Sequence, residues 1–568
     1  MCGIAGILGH TSPASSLKMM LAAQAHRGPD HTGIFIENQI ALGHNRLAII
    51  DCSPEANQPF KSLNSRYTIV FNGEIYNYIE LRKELEAFIP FRTQSDTEVL
   101  LAAYQVWGPA CLSRLNGMFA FAIWDKEKQV LFAARDRFGV KPLYYTQHLG
   151  VFYFASEPKT LFAAGIPKRP NERVWATYFA HGSYGQPEET FWEGISQLSG
   201  GHYVTVEASG IQIKRWYDFV KNVATYDQKL SLEEVKDHYL KLLDDSIDLR
   251  FRADVPIGFN VSGGVDSSAL LALVNRRQES EHIKAYTFYT GDTRYDELPW
   301  VEEVLKLTQN PLIKVKLEVD EVRTLAYQLA LKQDEPYGGI PTIAYGELFK
   351  KARSQGVKVL LDGQGMDEQW AGYDYYINHS GSVIQGVQKS PFRSQVLKAS
   401  FLEKASKPEY PKPFDDRVLN LQYRDLFYTK IPRALRFNDR VSMAASTELR
   451  EPFLDYRLVE FAFAQPLTYK IKNNIQKYVL RQIVSEHLTD KVTYAPKRPL
   501  QTPQREWLAT DLKPWVKQKI EVLKSHSWFE ADPLNKELNQ YFEGDQDSSF
   551  HIWQWLNTAL LLEQANET

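Results

Sequence analysis

The first two hundred residues alternate between short apolar runs and turn residues. Segments such as "RYTIVFNGEIYN", "GMFAFAIWDKEKQVLFAARD" and "GVFYFAS" are flanked by Gly, Asn or Asp, which is typical of β-strands joined by turns. "TEVLLAAYQVWG" instead has apolar positions at helical spacing and ends in Gly, so it predicts a helix. Together these patterns indicate an α+β domain with large antiparallel sheets.

The pattern changes after about residue 210. In "SLEEVKDHYLKLLDDSIDLRF", Ser231 is a predicted N-cap followed three residues later by Glu, which is the signature of a capping box. A strand, a glycine loop and a helix follow in "VPIGFNVSGGVDSSALLALV", and "IKAYTFYT" and "KVLLDGQG" are further strands between helices. This alternation predicts a doubly wound α/β domain, with a helical part from about residue 370. We therefore predict domains at 2–210 and 230–568.

Composition and charge exclude several classes of protein. A chain of 568 residues is too long for one core, and a net charge of −3 provides no basic field for nucleic acid or a membrane surface. No apolar run is long enough to span a bilayer, and no basic segment precedes "GIAGIL" as in a signal peptide. Three cysteines without metal-ligand spacing fit a reducing compartment, so we expect a cytoplasmic protein.

The stretch "NVSGGVDSS" joins an apolar strand to a helix. Such a turn directs backbone N–H groups and a helix N-terminus at an anion, which suits phosphate. It is not a Walker A loop, because no Lys closes it. Ser262, Ser267 and Ser268 add hydroxyl donors, and Asp266 is a candidate Mg²⁺ ligand. The stretch resembles the PP-loop of ATP pyrophosphatases, and this resemblance implies adenylation of an acceptor with release of pyrophosphate.

A second glycine stretch, "VLLDGQGMDEQWAGY", also ends an apolar strand. Gly363 permits close backbone approach, and Asp367 and Glu368 stand at a predicted helix start. Such an acidic pair can simply favour the helix dipole. Two strand ends at one sheet edge make a ligand crevice the stronger interpretation. In "NIQKYVLR", Lys477 is a candidate to stabilise charge on a polyphosphate leaving group.

The start of the chain, "MCGIAGILGH", poses a separate question about Cys2. Removal of Met1 would place a thiol and a free α-amine on one residue. That amine has a pKa near neutrality and can act as the base for the thiol, as in N-terminal nucleophile enzymes. In "FNGEIYN", Asn72 and the N–H of Gly73 are candidate donors to the developing oxyanion.

Three more charged residues suggest what the thiol attacks. Arg46 in "GHNRLAIID" suits a carboxylate clamp, and Glu74 and Asp96 can accept hydrogen bonds from an ammonium group. A carboxylate clamp and an ammonium clamp beside an amide-cleaving thiol describe glutamine.

The segments "MCGIAGI", "HRGPD", "GHNRLAIID", "FNGEIYN", "SDTEVLLAAY", "LNGMFAFAIWD" and "ARDRFGVKPLYY" resemble the class II glutamine amidotransferase domain over about residues 1–160. With "SGGVDSS", "DGQGMDE" and "REPFLD", the whole chain is similar to glutamine-hydrolysing asparagine synthetases of the bacterial B type. The resemblance implies an N-terminal nucleophile sandwich with antiparallel sheets between helices, followed by a PP-loop α/β domain. It also implies glutamine, Mg-ATP and a carboxylate as substrates, ammonia carried through a tunnel, and a homodimer.

The resemblance assigns roles to residues. It implies Cys2 as nucleophile, Asn72 and Gly73 as oxyanion hole, and Lys477 near the reacting phosphates. Glutamine would be held by Arg46, Leu47, Ile49, Ile50, Asn72, Gly73, Glu74 and Asp96. ATP would be held by Asn260, Ser262, Gly263, Gly264, Asp266, Ser267, Thr290, Asp362 and Gly363. The acceptor and its intermediate would lie near Gln364, Asp367 and Glu368, with Mg²⁺ on Asp266 and Asp367.

The acceptor side departs from the family pattern. Family members usually have SGEG where this chain has "DGQG", so Gln364 replaces a carboxylate, and an amide cannot act as a base. "DEPYGGIPT" also lacks an expected acidic residue after the Pro. Aspartate is the acceptor that the family implies, and another carboxylate such as a uronic acid is the alternative.

Three other interpretations explain less of the chain. A nucleotide sensor would need neither Cys2 nor an intact PP-loop. A plain glutaminase or other amide hydrolase leaves residues 230–480 unexplained, and a β-lactam synthetase would not be expected to keep a complete glutaminase site.

Overall fold

The computed structural model describes residues 2–276, 282–377, 390–498, 501–544 and 548–566. Its N-terminal part contains two six-stranded antiparallel sheets, as predicted. The first sheet has the order β10 (Ser196–Gln197), β8 (Tyr144–His148), β9 (Val151–Ala155), β1 (Gly3–Leu8), β3 (Ile40–Arg46), β2 (His31–Glu37). The second has the order β12 (Gly210–Arg215), β11 (His202–Glu207), β7 (Val130–Arg135), β6 (Gly117–Asp125), β5 (Tyr67–Ile75), β4 (Phe60–Lys61).

The two sheets pack face to face, and helices cover their outer faces. Ile4 of β1 belongs to the core between the sheets, whereas its neighbour Ala5 packs in the outer core with Leu17. This strand is therefore apolar on both faces because both are buried. The covering helices are α1 (Ala14–Ala23) and α4 (Pro158–Ala163) on the first sheet, and α2 (Tyr78–Leu85) and α3 (Asp96–Trp107) on the second. The predicted sandwich is confirmed.

The second sheet continues past residue 210, the predicted end of the first domain, because β12 forms its edge. Helix α5 (Glu172–His181) precedes β10, and α6 (Phe219–Val223) follows β12 and leads into the second part of the molecule. Leu47, Ile49 and Ile50 pack in one core with Val359 and Leu454, so apolar contacts join the two parts.

The second part is built on a five-stranded parallel sheet, as the alternating pattern predicts. Its order is β15 (Leu312–Lys316), β14 (Ala285–Tyr289), β13 (Ile257–Asn260), β16 (Val359–Leu361), β17 (Glu448–Arg450). The helices before and between these strands are α7 (Leu232–Arg250), α8 (Val265–Val274), α9 (Leu298–Thr308), α10 (Val319–Gln333) and α11 (Gly339–Ser354). Ser231 and Glu234 form the predicted capping box of α7. Both glycine stretches follow the carboxyl ends of central strands, β13 and β16.

The C-terminal part is mainly helical. Its helices are α12 (Met366–Gln369), α13 (Asp374–Ile377), α14 (Ala399–Leu402), α15 (Arg417–Arg424), α16 (Lys430–Ala444), α17 (Tyr456–Ala464), α18 (Leu467–Lys470), α19 (Tyr478–Val484), α20 (Asp490–Thr493), α21 (Gln504–Ala509), α22 (Lys513–Lys524), α23 (Ala531–Glu543) and α24 (Phe550–Asn566). A small hairpin, β18 (Ile471–Lys472) and β19 (Ile475–Gln476), interrupts them. No described helix has the length and apolarity that a membrane span needs.

The described residues of the C-terminal part include one π-helical turn and one stretch without helix. The π-helical turn Asp425–Thr429 joins α15 to α16 without a break. Within the helical part predicted from about residue 370, residues 378–389 lie outside the described residues, and 403–416 contain no helix. Trp515, Trp528 and Trp553 lie in the core.

Candidate active sites

Cys2 lies immediately before β1 and is buried at the junction of the two sheets. Its backbone nitrogen donates to Asn72 Oδ1 (3.0 Å), and its Sγ lies 3.9 Å from the carbonyl oxygen of Leu47. Burial raises the pKa of the thiol. Asn72 Nδ2 is buried and has no hydrogen-bond partner among the described residues. The amide that orients Cys2 therefore keeps a free donor beside the thiol, as an oxyanion hole requires.

Gly73 follows Asn72 on β5 in a place that no side chain fits. A Cβ there would lie 2.1 Å from the carbonyl oxygen of Met118 and 2.7 Å from the Cα of Phe119. The close approach of β6 therefore explains why glycine occupies this position.

Arg46, the predicted carboxylate clamp, also donates hydrogen bonds to the loop after β3. Its Nη1 donates to Ser53 O (2.7 Å) and Asn57 Oδ1 (2.8 Å), and its Nη2 donates to Asp51 O. Three of the five guanidinium N–H groups thus hold the loop after β3, and two remain for a ligand.

The main chain from Leu47 to Ile50 is shared between the two parts of the molecule. Leu47 O faces the Cys2 thiol, whereas Ile49 O accepts a hydrogen bond from Asp254 N (2.8 Å). All four of these residues are buried. The predicted glutamine pocket is therefore in contact with the second domain. The spacing of residues in the sequence did not indicate this contact.

Glu74 and Asp96 belong to a buried cluster of charges. Arg450 Nη2 lies 3.5 Å from Glu74 Oε2, and Arg450 Nε pairs with Glu448 (2.5 Å). Asp96 Oδ2 accepts from Ile75 N (2.9 Å). Burial, with nearby carboxylates, raises the pKa of Glu74 and raises that of Asp96 to about 6. Such a cluster favours a bound cation, which fits the predicted ammonium clamp.

Arg27, in the quoted motif "HRGPD", received no role from the sequence. Its Nε donates to Cys2 O (3.0 Å), and its Nη1 donates to Glu157 Oε1 and Asp439 Oδ2, both at 2.8 Å. Asp439 lies on α16, so this buried arginine connects the thiol residue to the second domain.

The glycine loop lies open above α8. Ser262 Oγ and Ser267 Oγ are 3.2 Å apart, and Ser267 Oγ also contacts Gly264 O (3.2 Å). Gly263 has φ +71°, and a Cβ there would lie 2.8 Å from Trp300 Cβ. This left-handed residue explains the first glycine of the pair. The hydroxyls and the first turn of α8 together form an anion-binding concavity.

Lys477 forms the centre of a buried cluster of ion pairs beside the glycine loop. Its Nζ lies 2.6 Å from Asp266 Oδ2 and 2.5 Å from Asp367 Oδ1, and Lys497 also pairs with Asp367. The side chain of Lys477 is buried, and its backbone has φ +54°, an uncommon conformation for this residue type.

The two carboxylates fit the predicted Mg²⁺. They converge on one cation, and Mg²⁺ in nucleotide sites is held by one or two carboxylates plus phosphate oxygens. Among the described residues no third carboxylate, thiol or imidazole completes a metal-ligand group, so phosphates and water would supply the other ligands.

Of the predicted ATP residues, Asn260 and Thr290 lie at strand ends. Asn260 Nδ2 donates to Asp362 Oδ2 (3.1 Å), and burial raises the pKa of Asp362 to about 6. Thr290 N and Oγ1 both donate to Asp296 (2.7 and 2.9 Å). The donors of Thr290 are therefore committed to its own loop, and its carbonyl is the group left for a ligand.

A cavity of about 170 Å³ brings most of these residues together. It is lined by Ser262, Gly264, Asp266, Ser267, Asp362, Gly363, Gln364, Asp367 and Lys477. It is also lined by Glu297, Arg481, Lys497 and Arg498, which sequence analysis missed. The basic pair in "YAPKRPL" was the available signal for the last two. Burial raises the pKa of Glu297 to about 7.

Glu368 does not line this cavity and is fully buried. Tyr373 Oη donates to its Oε1 (2.6 Å), whereas its Oε2 is buried without a hydrogen-bond partner among the described residues. Burial and the nearby Asp367 raise its pKa to about 8. Glu368 is therefore a neutral acid at neutral pH. Its neighbour Asp367 behaves differently. Burial opposes the charged form of Asp367, but Lys477 and Lys497 stabilise that form and lower the pKa of Asp367 below the usual range.

A buried thiol with an amide-cleaving environment, joined to a PP-loop nucleotide site, defines a glutamine-dependent amidotransferase that uses ATP. Residues 1–217 match the glutamine amidotransferase domain family, and residues 238–564 match the asparagine synthase family. The chain belongs to the asparagine synthase family.

Curated relatives are similar over nearly the whole chain. Asparagine synthetase (glutamine-hydrolyzing) 1 of Bacillus subtilis strain 168 is 30% identical, over 97% of this chain and 95% of its own. Asparagine synthetase (glutamine-hydrolyzing) 3 of the same strain is also 30% identical, over 97% and 95%. Amidase chyE of Penicillium rubens is 27% identical, over 92% and 91%.

Proposed function

We propose that this chain transfers the amide nitrogen of glutamine to a carboxylate that it first activates with ATP. The proposal is supported by the pairing of Cys2 with Asn72 in one domain and of Lys477 with Asp266 and Asp367 in the other. Glutamate, AMP and pyrophosphate are the other products.

In the first site, the Cys2 thiol attacks the amide carbon of glutamine. The free Nδ2 of Asn72 and the N–H of Gly73 stabilise the oxyanion. Arg46 holds the substrate carboxylate, and the acidic cluster of Glu74 and Asp96 holds its ammonium group. Collapse of the tetrahedral intermediate breaks the C–N bond, so ammonia leaves toward the second domain and a thioester remains on Cys2. Water then hydrolyses the thioester to glutamate and frees the thiol.

In the second site, a carboxylate oxygen of the acceptor attacks the α-phosphorus of ATP, and pyrophosphate leaves. Lys477 stabilises charge on the leaving group, with the loop from Ser262 to Ser267 around the phosphates. Mg²⁺ held by Asp266 and Asp367 would neutralise phosphate charge. Ammonia then attacks the acyl carbon, the bond to AMP breaks, and the amide forms.

The similar relatives are named asparagine synthetases. Asparagine is the amide of aspartate, so aspartate is the first acceptor to test. Two observations favour a different carboxylate as the second candidate. Gln364 lines the ATP cavity as a neutral amide, and the only acidic residues of "DEPYGGIPT" are already paired: Asp334 with Arg440, and Glu335 with Arg436. A uronic acid is such a carboxylate.

The test is a stoichiometric assay of the purified chain with amide-¹⁵N glutamine, Mg-ATP and aspartate. Labelled asparagine with equal amounts of AMP and pyrophosphate supports aspartate as acceptor. Glutaminase activity without asparagine redirects the assay to a panel of carboxylates including uronic acids. If no carboxylate elicits pyrophosphate release, even with free ammonia, the proposed function is wrong.

Matched variants separate the two sites. Cys2→Ala should abolish glutamine-dependent amidation and keep ammonia-dependent amidation. Cys52→Ala removes an exposed thiol and should keep both. Loss of both activities in Cys2→Ala would contradict the division of labour.

A further inference from the structure

A second cavity, larger than the one at the ATP site, lies elsewhere in the described part of the molecule. It is a cleft of about 950 Å³ between the two domains, which we call the basic cleft. Its walls come from residues 181–189 and 199–202 of the first domain, and from residues 409–411 and 423–436 of the second. It is several times larger than the ATP cavity of about 170 Å³ and has the size of a site for a drug-sized ligand. Free aspartate would fill only a small part of it.

Three cations of α16 face this cleft. Lys430, Arg433 and Arg436 are spaced three residues apart and line it together, as residues on one helix face do. Arg436 donates to Pro336 O (3.0 Å) and pairs with Glu335 (3.4 Å). Lys430 and Arg433 have no hydrogen bond or ion pair within the described ranges.

The carboxylate of Asp425, on the π-helical turn before α16, is already engaged by other groups. Asp425 Oδ1 accepts from Arg424 and Thr429 (both 2.6 Å), and its Oδ2 accepts from Tyr375 and Tyr376 (both 2.8 Å). Its hydrogen-bonding capacity is filled. Of the glutamates lining the cleft, Glu189 pairs with Arg173, and Glu188 and Glu409 are exposed at its rim. Two like charges on one helix face repel each other unless an anion binds, so the interior of the cleft favours an anionic ligand.

Aromatic rings flank these cations. Tyr184, Tyr410, Phe427 and Tyr428 line the cleft, and Tyr184 lies under Arg433 and Arg436 at 5.7 and 4.9 Å. Two of these rings are on the π-helical turn 425–429, a rare conformation that is frequent at functional sites. Rings with a hydroxyl edge offer both an apolar face and a hydrogen bond. This combination suits a ligand with C–H faces and hydroxyl groups, which is the chemistry of a sugar ring.

The cleft adjoins the acceptor end of the synthetase site. Lys430 Nζ lies 5.0 Å from the ring centroid of Tyr373, and Lys497 Nζ of the ATP cavity lies 5.5 Å from the same centroid. Tyr373 donates to Glu368 (2.6 Å). On another wall, Arg436 holds Pro336 in the segment "DEPYGGIPT". The departing stretch "DEPYGGIPT" therefore contacts Arg436 of the basic cleft, and Lys430 contacts Tyr373, which follows "DGQG" along the chain.

We propose that the basic cleft binds an acidic saccharide, and that a carboxylate of this saccharide is the acceptor that the chain amidates. The inference rests on the proposed ligase function and replaces aspartate by a larger acid. In the reaction, one carboxylate oxygen bonds to the α-phosphorus of ATP as pyrophosphate leaves. Ammonia then bonds to the acyl carbon, AMP departs with the shared oxygen, and a proton passes to solvent. Lys430 and Arg433 bind neighbouring acidic groups.

The binding test uses the full chain without ATP or glutamine, so it does not depend on turnover. Trigalacturonate is titrated calorimetrically at about 50 mM salt, where surface charge is only partly screened, and its neutral methyl ester is the control ligand. The acid should bind at least about tenfold more tightly than the ester. The double variant Lys430→Gln, Arg433→Gln should lose at least about tenfold in affinity, whereas Lys430→Arg should keep it. Lys128→Gln, which removes an exposed charge on the β6–β7 turn, should bind like the parent chain.

The turnover test adds Mg-ATP and amide-¹⁵N glutamine and measures label in the trimer by mass spectrometry. Labelled trimer that disappears in the double variant, while glutaminase activity remains, supports the proposal. Absence of binding, equal binding of acid and ester, or full affinity in the double variant would each overturn it. Binding without labelling would overturn the acceptor assignment. Failure of the proposed function itself is recognised separately, as absence of pyrophosphate release with every carboxylate.

Discussion

The buried contact between Arg27 and Asp439 should contribute far more to stability than an exposed ion pair at the same domain boundary. The Arg27 side chain is 0% exposed and that of Asp439 is 4% exposed. Between the same domains, Arg252 and Glu80 are 23% and 54% exposed. Breaking a buried pair costs about 3–5 kcal/mol, because the remaining charge stays buried without its partner. An exposed pair contributes about 0–1 kcal/mol.

We expect Asp439→Asn to lie near the lower bound, about 3 kcal/mol, because Glu157 still neutralises Arg27. For a domain of this size, each kcal/mol shifts the melting temperature by roughly 2–4 °C, so the transition should fall by roughly 6–12 °C. Glu80→Gln should shift it by at most roughly 4 °C. Differential scanning calorimetry of the full chain measures both. Equal shifts in the two variants would refute the reasoning.

A double variant tests whether charge burial is the cause. Arg27→Met with Asp439→Leu removes both charges and fills the space with apolar groups, a change that is often neutral for buried pairs. It should regain at least half of the lost melting temperature. Its glutaminase activity should be lower than that of the parent chain, because Arg27 also donates to Cys2 O. Parent-like activity together with recovered stability would show that Arg27 has no role in positioning Cys2.

Three further predictions concern the sites themselves. Lys477→Met should lower pyrophosphate release by more than about a hundredfold and keep glutaminase activity, while Lys472→Met, at an exposed neighbour, should change neither. Gly73→Ala should abolish glutaminase activity in a kinetic assay while ammonia-dependent synthesis continues, because a Cβ would lie 2.1 Å from Met118 O. The folded-state pKa of Glu368, about 8, is raised by burial above its ordinary value of 4.5, so its contribution to stability is present at low pH and is lost as pH rises through this window. Urea unfolding at about pH 5.5 and about pH 8.5 should therefore show that the free energy of unfolding falls less with rising pH in Glu368→Gln than in the parent chain. An equal fall in both proteins would contradict a buried neutral Glu368.

Features that depend on a few neighbouring residues could be predicted from the sequence. The capping box of Ser231 and Glu234 joins residues three apart, and the start of α7 follows from it. The glycine loop has the same local character, because a strand, two glycines and a helix start determine it within ten residues. The two-faced burial of β1 was also visible, since "GIAGIL" is apolar throughout.

Contacts between distant residues could not be predicted in this way. Arg27 and Asp439 are separated by 412 positions, and no local pattern links them. Arg46 shows the same limit within one domain. Its charge and motif indicate a ligand clamp, but the loop from Asp51 to Asn57 takes three of its donors. The basic cleft was missed because its cations come from a helix whose charged residues resemble an ordinary solvated face.

Helix α16 contacts the Cys2 region, the segment "DEPYGGIPT" and the basic cleft, which the sequence did not link to one another. Asp439 holds Arg27 and thereby the Cys2 main chain. The next residue, Arg440, donates to Asp334 Oδ2 (3.2 Å) at the start of "DEPYGGIPT". At the other end, Lys430 and Arg433 line the basic cleft. A packed helix moves as a rigid element, because interiors have little free volume. The Cys2 main chain, through Arg27 and Asp439, and the basic cleft, through Lys430 and Arg433, therefore both depend on the placement of this one helix.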